Sequence, residues 1–546
     1  MAPGVSPATP AQSGSWSDEV ASDLFDRWFV LIAFGILLVA AALRLPELGL
    51  NPFHHDEGVN GFFTTNLVRD GIYRYDPANY HGPTLYYSAL VSEILFGLTT
   101  EAMRLVPVVF GIALVGLVLP LRRYLGSIAV LVAAALLAVS PGAVYVSRYF
   151  IHETLVVAFT AGLFAAGLFY LERREAKYLL AGAVAAALLF TTKETAVITV
   201  GVLLIAVGVA NLYLRLRSEA GTAPAGRQPA GTPGREPRAE SVWINGVEYR
   251  PAKATRVRGG GSSDWLAIPG EHLGGAAVVF LVIYILLFSS FFTNFPKGLA
   301  DSMAAYLFWF QHGDATQIQP VYRYLQWMIP IEAPILILGV VGGLIAAIRM
   351  VSRLWVIIGL WALGITLAFS IIQYKTPWIM LNMLLPLALL AGLAVSVLWR
   401  SPRLRLAAPV VLGVTVLFSG FFTIDLNFNR YDDEAYPYVY VHSTRSMLDL
   451  VDEIEATAAR AGTGTETGVV IMSPDYWPLP WYFRDYPKAG FFGSIVDTDE
   501  AMIVANVNQE PELTPTIESQ YDRTGTYNLR PGVDLVLFVR SDIPKA

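Results

Sequence analysis

Two histidines and two carboxylates stand together in NPFHHDEGVN, residues 51–60, directly after the first strongly apolar run of the chain. Neighbouring imidazoles and carboxylates are the groups that take up, release or relay protons. Three further clusters repeat the theme: RYFIHE at 148–153, TTKE at 191–194 and QYKTPW at 373–378. Each flanks a long apolar stretch. Ionisable groups at a membrane boundary are costly to desolvate, so several that converge on one leaflet point to a site.

Whether they converge depends on the elements that carry them. With 54% hydrophobic residues, 15% charged residues and a mean hydropathy of +0.50, the 546-residue chain has the composition of a polytopic membrane protein. A helix needs about 17 to 25 apolar residues to cross the hydrocarbon core. About eleven runs qualify, near 28–44, 105–121, 125–147, 154–171, 178–192, 195–214, 273–292, 325–348, 354–372, 377–399 and 406–424. The segment 81–100 is read as an interfacial helix in the first external loop, with Thr84, Ser88 and Ser92 forming a wet face. Alternate connections then carry 19 Lys and Arg against 9 in the others. The positive-inside tendency makes the rich set cytoplasmic, so the N-terminus is inside and the C-terminus outside the plasma membrane. All four clusters fall on the outer side.

A structural reading stands beside each functional one. Asp56 and Glu57 suit the first turn of a helix as caps, and so do His152 with Glu153 and Lys193 with Glu194. Lys375 and Trp378 suit interfacial anchors. The histidines and carboxylates leave a divalent metal open, although no HExxH or comparable spacing occurs. The chain has no cysteine, so thiolate sites and disulfides are excluded. Its net charge of −6 without a basic block gives no reason to expect nucleic acid.

Residues 1–27 read as a disordered cytoplasmic tail, 28–424 as the membrane module and 215–272 as a flexible cytoplasmic loop within it. An Asn-Gly turn in SVWINGVEYR, 241–250, suggests a small hairpin inside that loop. From 425 to 546 the composition shifts to a small α/β domain, with a helical SMLDLVDEIEATAARAG and buried strands in GVVIMS, AMIVANV and DLVLFVRS. The stretch PDYWPLPWYFRDY within it is either an aromatic surface for sugar or lipid, or a loop packed on the membrane module.

The motifs HHDEGVNGFF, YDPANYHGPTLYY, SRYFIHETL, FTTKETAVI, QYKTPWIMLNMLLPLALLAG, YDDEAYPYVYVH and PDYWPLPWYFRD resemble the flippase-activity-associated protein family. More broadly they resemble the GT-C membrane glycosyltransferases, in particular the protein O-mannosyltransferase and lipid A aminoarabinose transferase group. The resemblance implies a GT-C fold and transfer of a sugar from a polyprenyl-phosphate carrier to a protein, lipid or glycan acceptor at the extracytoplasmic face. It implies that Asp56 is the base toward the acceptor in an inverting displacement, with Glu57 and Glu153 orienting the acceptor or supporting Asp56. Arg148, Lys193 and Lys375, placed at external membrane boundaries, are candidates to meet the leaving phosphate. His54, His55, His81, His152, Glu194 and Trp378 complete the candidate binding residues. A protein that binds or moves a lipid-linked sugar without chemistry is the alternative.

Overall fold

The computed structural model describes residues 16–79, 81–221, 242–244, 247–249, 268–311, 318–349 and 351–545. Most of the loop read as flexible, and His312, lie outside the described residues. In chain order, α1 (Trp16–Arg44) leads to two short helices, α2 (His55–Asp70) and α3 (Thr84–Phe96). Next come α4 (Thr100–Val118), the four-residue α5 (Arg122–Leu125) and a bent pair, α6 (Ser127–Val139) with α7 (Pro141–Ser147). They are followed by α8 (Glu153–Arg173), α9 (Ala176–Phe190) and α10 (Ala196–Gly221). The paired strands β1 (Val242–Ile244) and β2 (Val247–Tyr249) form the expected hairpin. The membrane module ends with α11 (Gly270–Phe288), α12 (Lys297–Gln311), a second bent pair α13 (Arg323–Ile331) and α14 (Ala333–Arg349), then α15 (Arg353–Ile371), α16 (Met380–Arg400) and α17 (Ala407–Ile424). The first turns of α1 thus fall inside the segment read as a disordered tail.

By length and composition, eight helices among the described residues suffice to cross a bilayer, and ten spans result if each bent pair counts as one. All eleven apolar runs are helical, but α9 has only 15 residues and so reaches about 22 Å, short of a hydrocarbon core of about 30 Å. The α6–α7 pair bends by 59° at Ser140–Pro141, where proline cannot continue the hydrogen-bond ladder. The α13–α14 pair bends by 114°, next to Pro330 and the buried Glu332.

Helix α16 is apolar all round and runs through the centre of the bundle against α6, α14 and α15. It can approach its neighbours because glycines stand at the crossings. A β-carbon on Gly392 would run into the Ala129 carbonyl, and one on Gly342 into the Leu390 carbonyl.

One expectation reverses. The C-terminal half of α3 exposes Val91, Ile94, Leu95 and Phe96, whereas Thr84 and Ser92 are buried. The hydroxyls face inward because each finds a carbonyl: Thr84 donates to Thr191 and Ser92 to Ala102. The short helix therefore presents an apolar face outward and a satisfied polar face to the protein.

The C-terminal domain is built on α18 (Arg445–Arg460) and a five-stranded sheet, with α19 (Leu479–Tyr482) and α20 (Glu510–Ile517). The strands are β3 (Val469–Ile471), β4 (Ala489–Phe491), β5 (Met502–Asn506), β6 (Tyr521–Arg530) and β7 (Val533–Arg540), in the order β4-β3-β5-β7-β6. β3 pairs in parallel with β4 and β5, and β7 in antiparallel with β5 and β6. Strand alternation divides the core into two faces. Met502 and Val504 meet the apolar side of α18, while Ile503 and Ala505 pack with Leu513 and Ile517 of α20.

The aromatic stretch after β3 packs on the membrane module. Trp481 stacks on Phe53 at 4.6 Å, and the Tyr482 hydroxyl accepts from the Phe53 backbone N–H at 2.9 Å. Gly58 and Gly61 make this possible, since a β-carbon on either would strike Pro478 or Trp481.

Candidate active site

The N-terminus of α2 is fixed by a capping box: the His54 Nδ1 accepts from the Asp56 N–H at 3.1 Å, and Glu57 accepts from the His54 N–H at 2.9 Å. Glu57 is fully buried and its oxygens have further partners. Arg104, at the start of α4, donates from Nε at 2.7 Å and from Nη2 at 2.5 Å, and the Phe150 N–H donates at 2.7 Å. Arg104 in turn donates to the carbonyls of Leu48, Asn51 and Pro52. Both oxygens of Glu57 are committed to this network.

Asp56 is the opposite case. It is half-buried, and its carboxylate has no hydrogen bond or ion pair with a described residue. The C-terminal domain meets the two residues before it. The His54 Nε2 lies 2.7 Å from the Tyr440 carbonyl, and Trp378 stands edge-on to the His54 ring at 5.8 Å. Both nitrogens of His54 are thereby engaged, so it positions the turn and has no nitrogen left for a sugar. Arg530 reaches across from β6, with Nη1 3.3 Å from the His55 Nδ1 and an ion pair to Asp475. Burial pushes His55 down to about 4, against the opposing pull of Asp56 and with help from His54 and Arg530. The ring is neutral at pH 7. Its Nδ1 accepts from Arg530, so the proton sits on Nε2.

The second cluster lies where the 81–84 turn pairs with TTKE. His81 and Lys193 form a β-bridge, and the Gly82 and Thr84 N–H groups donate to the Thr192 and Thr191 carbonyls. Glu153, buried at the first turn of α8, forms an ion pair with Lys193. Glu194 meets the His81 Nδ1 at 3.2 Å. Although burial works to raise it, the His81 and Lys193 charges hold the Glu194 carboxyl below its usual range. His152 lies with its ring 4.9 Å from His81 and is held neutral, its titration pushed well down by burial and by these same cations. The loop 148–153 ties the two clusters, with Phe150 on Glu57 and Glu153 on Lys193.

Two candidate cations sit differently from expectation. Arg148 donates to the carbonyls of Arg44, Pro46 and Glu47 and stacks over Phe428 at 4.6 Å. It staples the end of α1, and burial lowers its titration to about 10. Its Nη groups are turned to carbonyls and away from the cluster around Asp56. Lys375 and Trp378 are buried, so neither is a surface anchor. Lys375 donates to the Ile372 carbonyl and lies 5.8 Å from the Tyr324 ring, and burial pulls its titration down. Among the described residues no three His, Asp or Glu side chains come together as a metal site.

Arg104, Arg530 and Asp475 were not singled out by the sequence. Arg104 falls at a span boundary, where a lone arginine is the one local signal; Asp475 lies inside the aromatic stretch PDYWPLPWYFRDY, and Arg530 lies in ordinary domain sequence and has no signal.

Together, a bundle of spans, a capped helix carrying the acidic pair at one end and an α/β domain closed over it define a polytopic membrane protein with the fold of the GT-C membrane glycosyltransferase superfamily. The family profile of dolichyl-phosphate-mannose-protein mannosyltransferase matches residues 80–219. The structure is similar to ArnT from Cupriavidus metallidurans bound to undecaprenyl phosphate, with a TM-score of 0.62 and 16% identity over 97% of this chain and 100% of that one. It is also similar to the Archaeoglobus fulgidus oligosaccharyltransferase tethered with an acceptor peptide, with a TM-score of 0.53 and 13% identity over 95% of this chain and 74% of that one. A third match is AglB from the same organism in complex with an inhibitory peptide and a dolichol-phosphate, at a TM-score of 0.51 and 14% identity over 97% and 75%. No curated protein sequence matches the chain.

Proposed function

We propose that this protein transfers a sugar from a polyprenyl-phosphate carrier to an acceptor hydroxyl, with Asp56 as general base. The observation that carries this reading is the contrast inside one helical turn: Glu57 is saturated by Arg104 and Phe150, while Asp56 has no partner among the described residues. A rigid frame around one unoccupied carboxylate is what proton abstraction requires. In the step, the acceptor oxygen bonds to the anomeric carbon and its proton passes to Asp56. The bond from that carbon to the phosphate oxygen breaks, and the electron pair leaves with the lipid phosphate. Attack opposite the leaving group inverts the anomeric centre. Lys375 is the cation assigned to the departing phosphate, while Lys193 is neutralised by Glu153, with His81 and Glu194 beside that pair. The carriers bound in ArnT and AglB, undecaprenyl phosphate and dolichol-phosphate, support a lipid-phosphate donor here.

The site lies on the extracytoplasmic side in this reading. The opposite end of the bundle carries the basic connections, where Arg123 pairs with Glu172, Ser127 donates to Asp26 and Arg400 borders Gly126. A second reading, carrier binding or flipping without chemistry, draws on the two bent spans. They meet where Glu332 accepts from Ser140 and from the Gly142 N–H at 2.8 Å each. Purified protein in liposomes, given labelled polyprenyl-phosphate sugars, separates the two. The wild type is expected to release polyprenyl phosphate and Asp56→Asn to lose that release while still binding lipid. Tight lipid binding with no turnover by the wild type across donors would sink the enzyme reading.

A further inference from the structure

The rim above Asp56 holds groups that neither the base nor the leaving phosphate uses. Trp477 packs over the first turn of α2, its Cε3 3.3 Å from where a β-carbon on Gly58 would lie. Its ring meets His55 at 6.4 Å and Phe62 at 5.9 Å. Four residues on, Trp481 is fully buried with its indole N–H donated to Thr100. Trp477 is only partly covered, its indole N–H has no partner among the described residues, and Phe62 beside it is 42% exposed. The Asp475–Arg530 pair borders the same rings, with 40% and 14% of the two side chains open to solvent. Arg530 also holds His55, so this polar edge is fixed to the residue beside Asp56.

A sugar ring presents an apolar C–H face and an edge of hydroxyls. A half-exposed indole supplies a flat apolar contact with a polar tip, and a carboxylate beside a guanidinium offers acceptors and donors for vicinal hydroxyls. A peptide acceptor would instead call for backbone partners along an extended edge, and the end of edge strand β6 beside Arg530 is already bonded to Thr444 and Ser446. Resting on the glycosyltransferase reading, we infer that Trp477, Phe62, Asp475 and Arg530 form an acceptor subsite that takes a carbohydrate, holding it with a hydroxyl toward Asp56. The acceptor is then a glycan chain or glycolipid headgroup. Arg530 acts there as a positioning residue, through His55 and Asp475.

The test uses the full-length protein in nanodiscs with fluorescently labelled neutral trisaccharides of mannose, arabinose, galactose and glucose, and with Ser/Thr-rich peptides of similar mass. At least one trisaccharide is expected to bind, and Trp477→Ala to weaken it about tenfold, the size of one aromatic stacking contact, with Trp477→Phe recovering part of the loss. In turnover assays with a polyprenyl-phosphate donor, Arg530→Lys is expected to raise the KM for that trisaccharide with little change in kcat. Binding of peptides but no trisaccharide, or equal trisaccharide binding by wild type and Trp477→Ala, would overturn the subsite. Trisaccharide binding that depends on Trp477, in a protein that releases no polyprenyl phosphate from any donor, would leave the subsite standing and remove the glycosyltransferase reading alone.

Discussion

The first turn of α2 and the TTKE turn before α10 are both acidic, both buried at the same end of the bundle, and tied by one loop, yet they are built to opposite ends. At the TTKE turn both carboxylates are held: Glu153 of α8 pairs with Lys193, and Glu194 meets the His81 Nδ1 beside the Lys193 charge. In the α2 turn Arg104 is used up by Glu57 and by the carbonyls of Leu48, Asn51 and Pro52, and Arg530 by Asp475 and His55, so the Asp56 carboxylate is left over. Paired buried charges are expensive to break and chemically quiet. An unpaired carboxylate on the same scaffold is the one group free to change its protonation during a reaction. On the mechanism proposed above, the base is therefore set by the distribution of cations and not by acidic content alone.

The largest effect expected from this contrast is on Asp56→Asn. Loss of a general base costs about 10² to 10⁴-fold in rate, and the substitution should leave the melting temperature unchanged because no hydrogen bond is removed. Glu57→Ala and Glu153→Ala should show the reverse profile. Each strands a buried cation, and breaking a buried pair costs about 3 to 5 kcal/mol, read as a lower thermal midpoint in detergent. Activity lost by Glu153→Gln at an unchanged midpoint would break the contrast, because the TTKE turn would then hold chemistry of its own.

The apolar runs were legible because hydrophobic length is a local property; each of the eleven became helix, and the pairing of β1 with β2 and the three strong strands followed from equally local patterns. The unequal roles of Asp56 and Glu57 were not. They are set by Arg104, 47 positions away, and nothing in HHDEG says which carboxylate that arginine will take. Arg530 is farther still, 475 positions from His55, and reaches it only because β6 and β7 form a hairpin whose end lies over α2. The face of α3 was misread for a related reason. Its hydroxyls look solvent-seeking until the Thr191 and Ala102 carbonyls are brought to them. Lys375 and Trp378 looked like anchors because sequence gives the position along the membrane normal but not whether the bundle covers it.

His55 offers a smaller handle on the same turn. Its folded-state titration lies at about 4, below the ordinary 6.5. Above pH 6.5 the ring is neutral in both folded and unfolded chains and has no effect on stability. Between 6.5 and about 4 only the unfolded chain takes the proton, so stability falls with pH, by about 2 kcal/mol at pH 5. Below 4 the loss levels off. His55→Gln should flatten this slope when thermal midpoints are compared at pH 7 and pH 5. An unchanged slope would mean that burial, helped by His54 and Arg530, does not hold the ring neutral.

The smallest effect separates the lipid phosphate from the acceptor. Lys375 is buried beside Tyr324 with its amine turned to the Ile372 carbonyl, and burial lowers its titration from 10.5. An ammonium in so little water gains more from a phosphate than one in solvent. Lys375→Gln is therefore expected to raise the donor KM about tenfold, some 1.4 kcal/mol, while the acceptor KM stays put. In the wild type the donor KM should climb on the alkaline side at a pH below the ordinary lysine value, because the amine loses its charge early. A change confined to the acceptor KM would move Lys375 from the phosphate to the Asp56 side of the site. The lone carboxylate would then have a nearby cation after all, and the contrast with the TTKE turn would narrow to Glu57 alone.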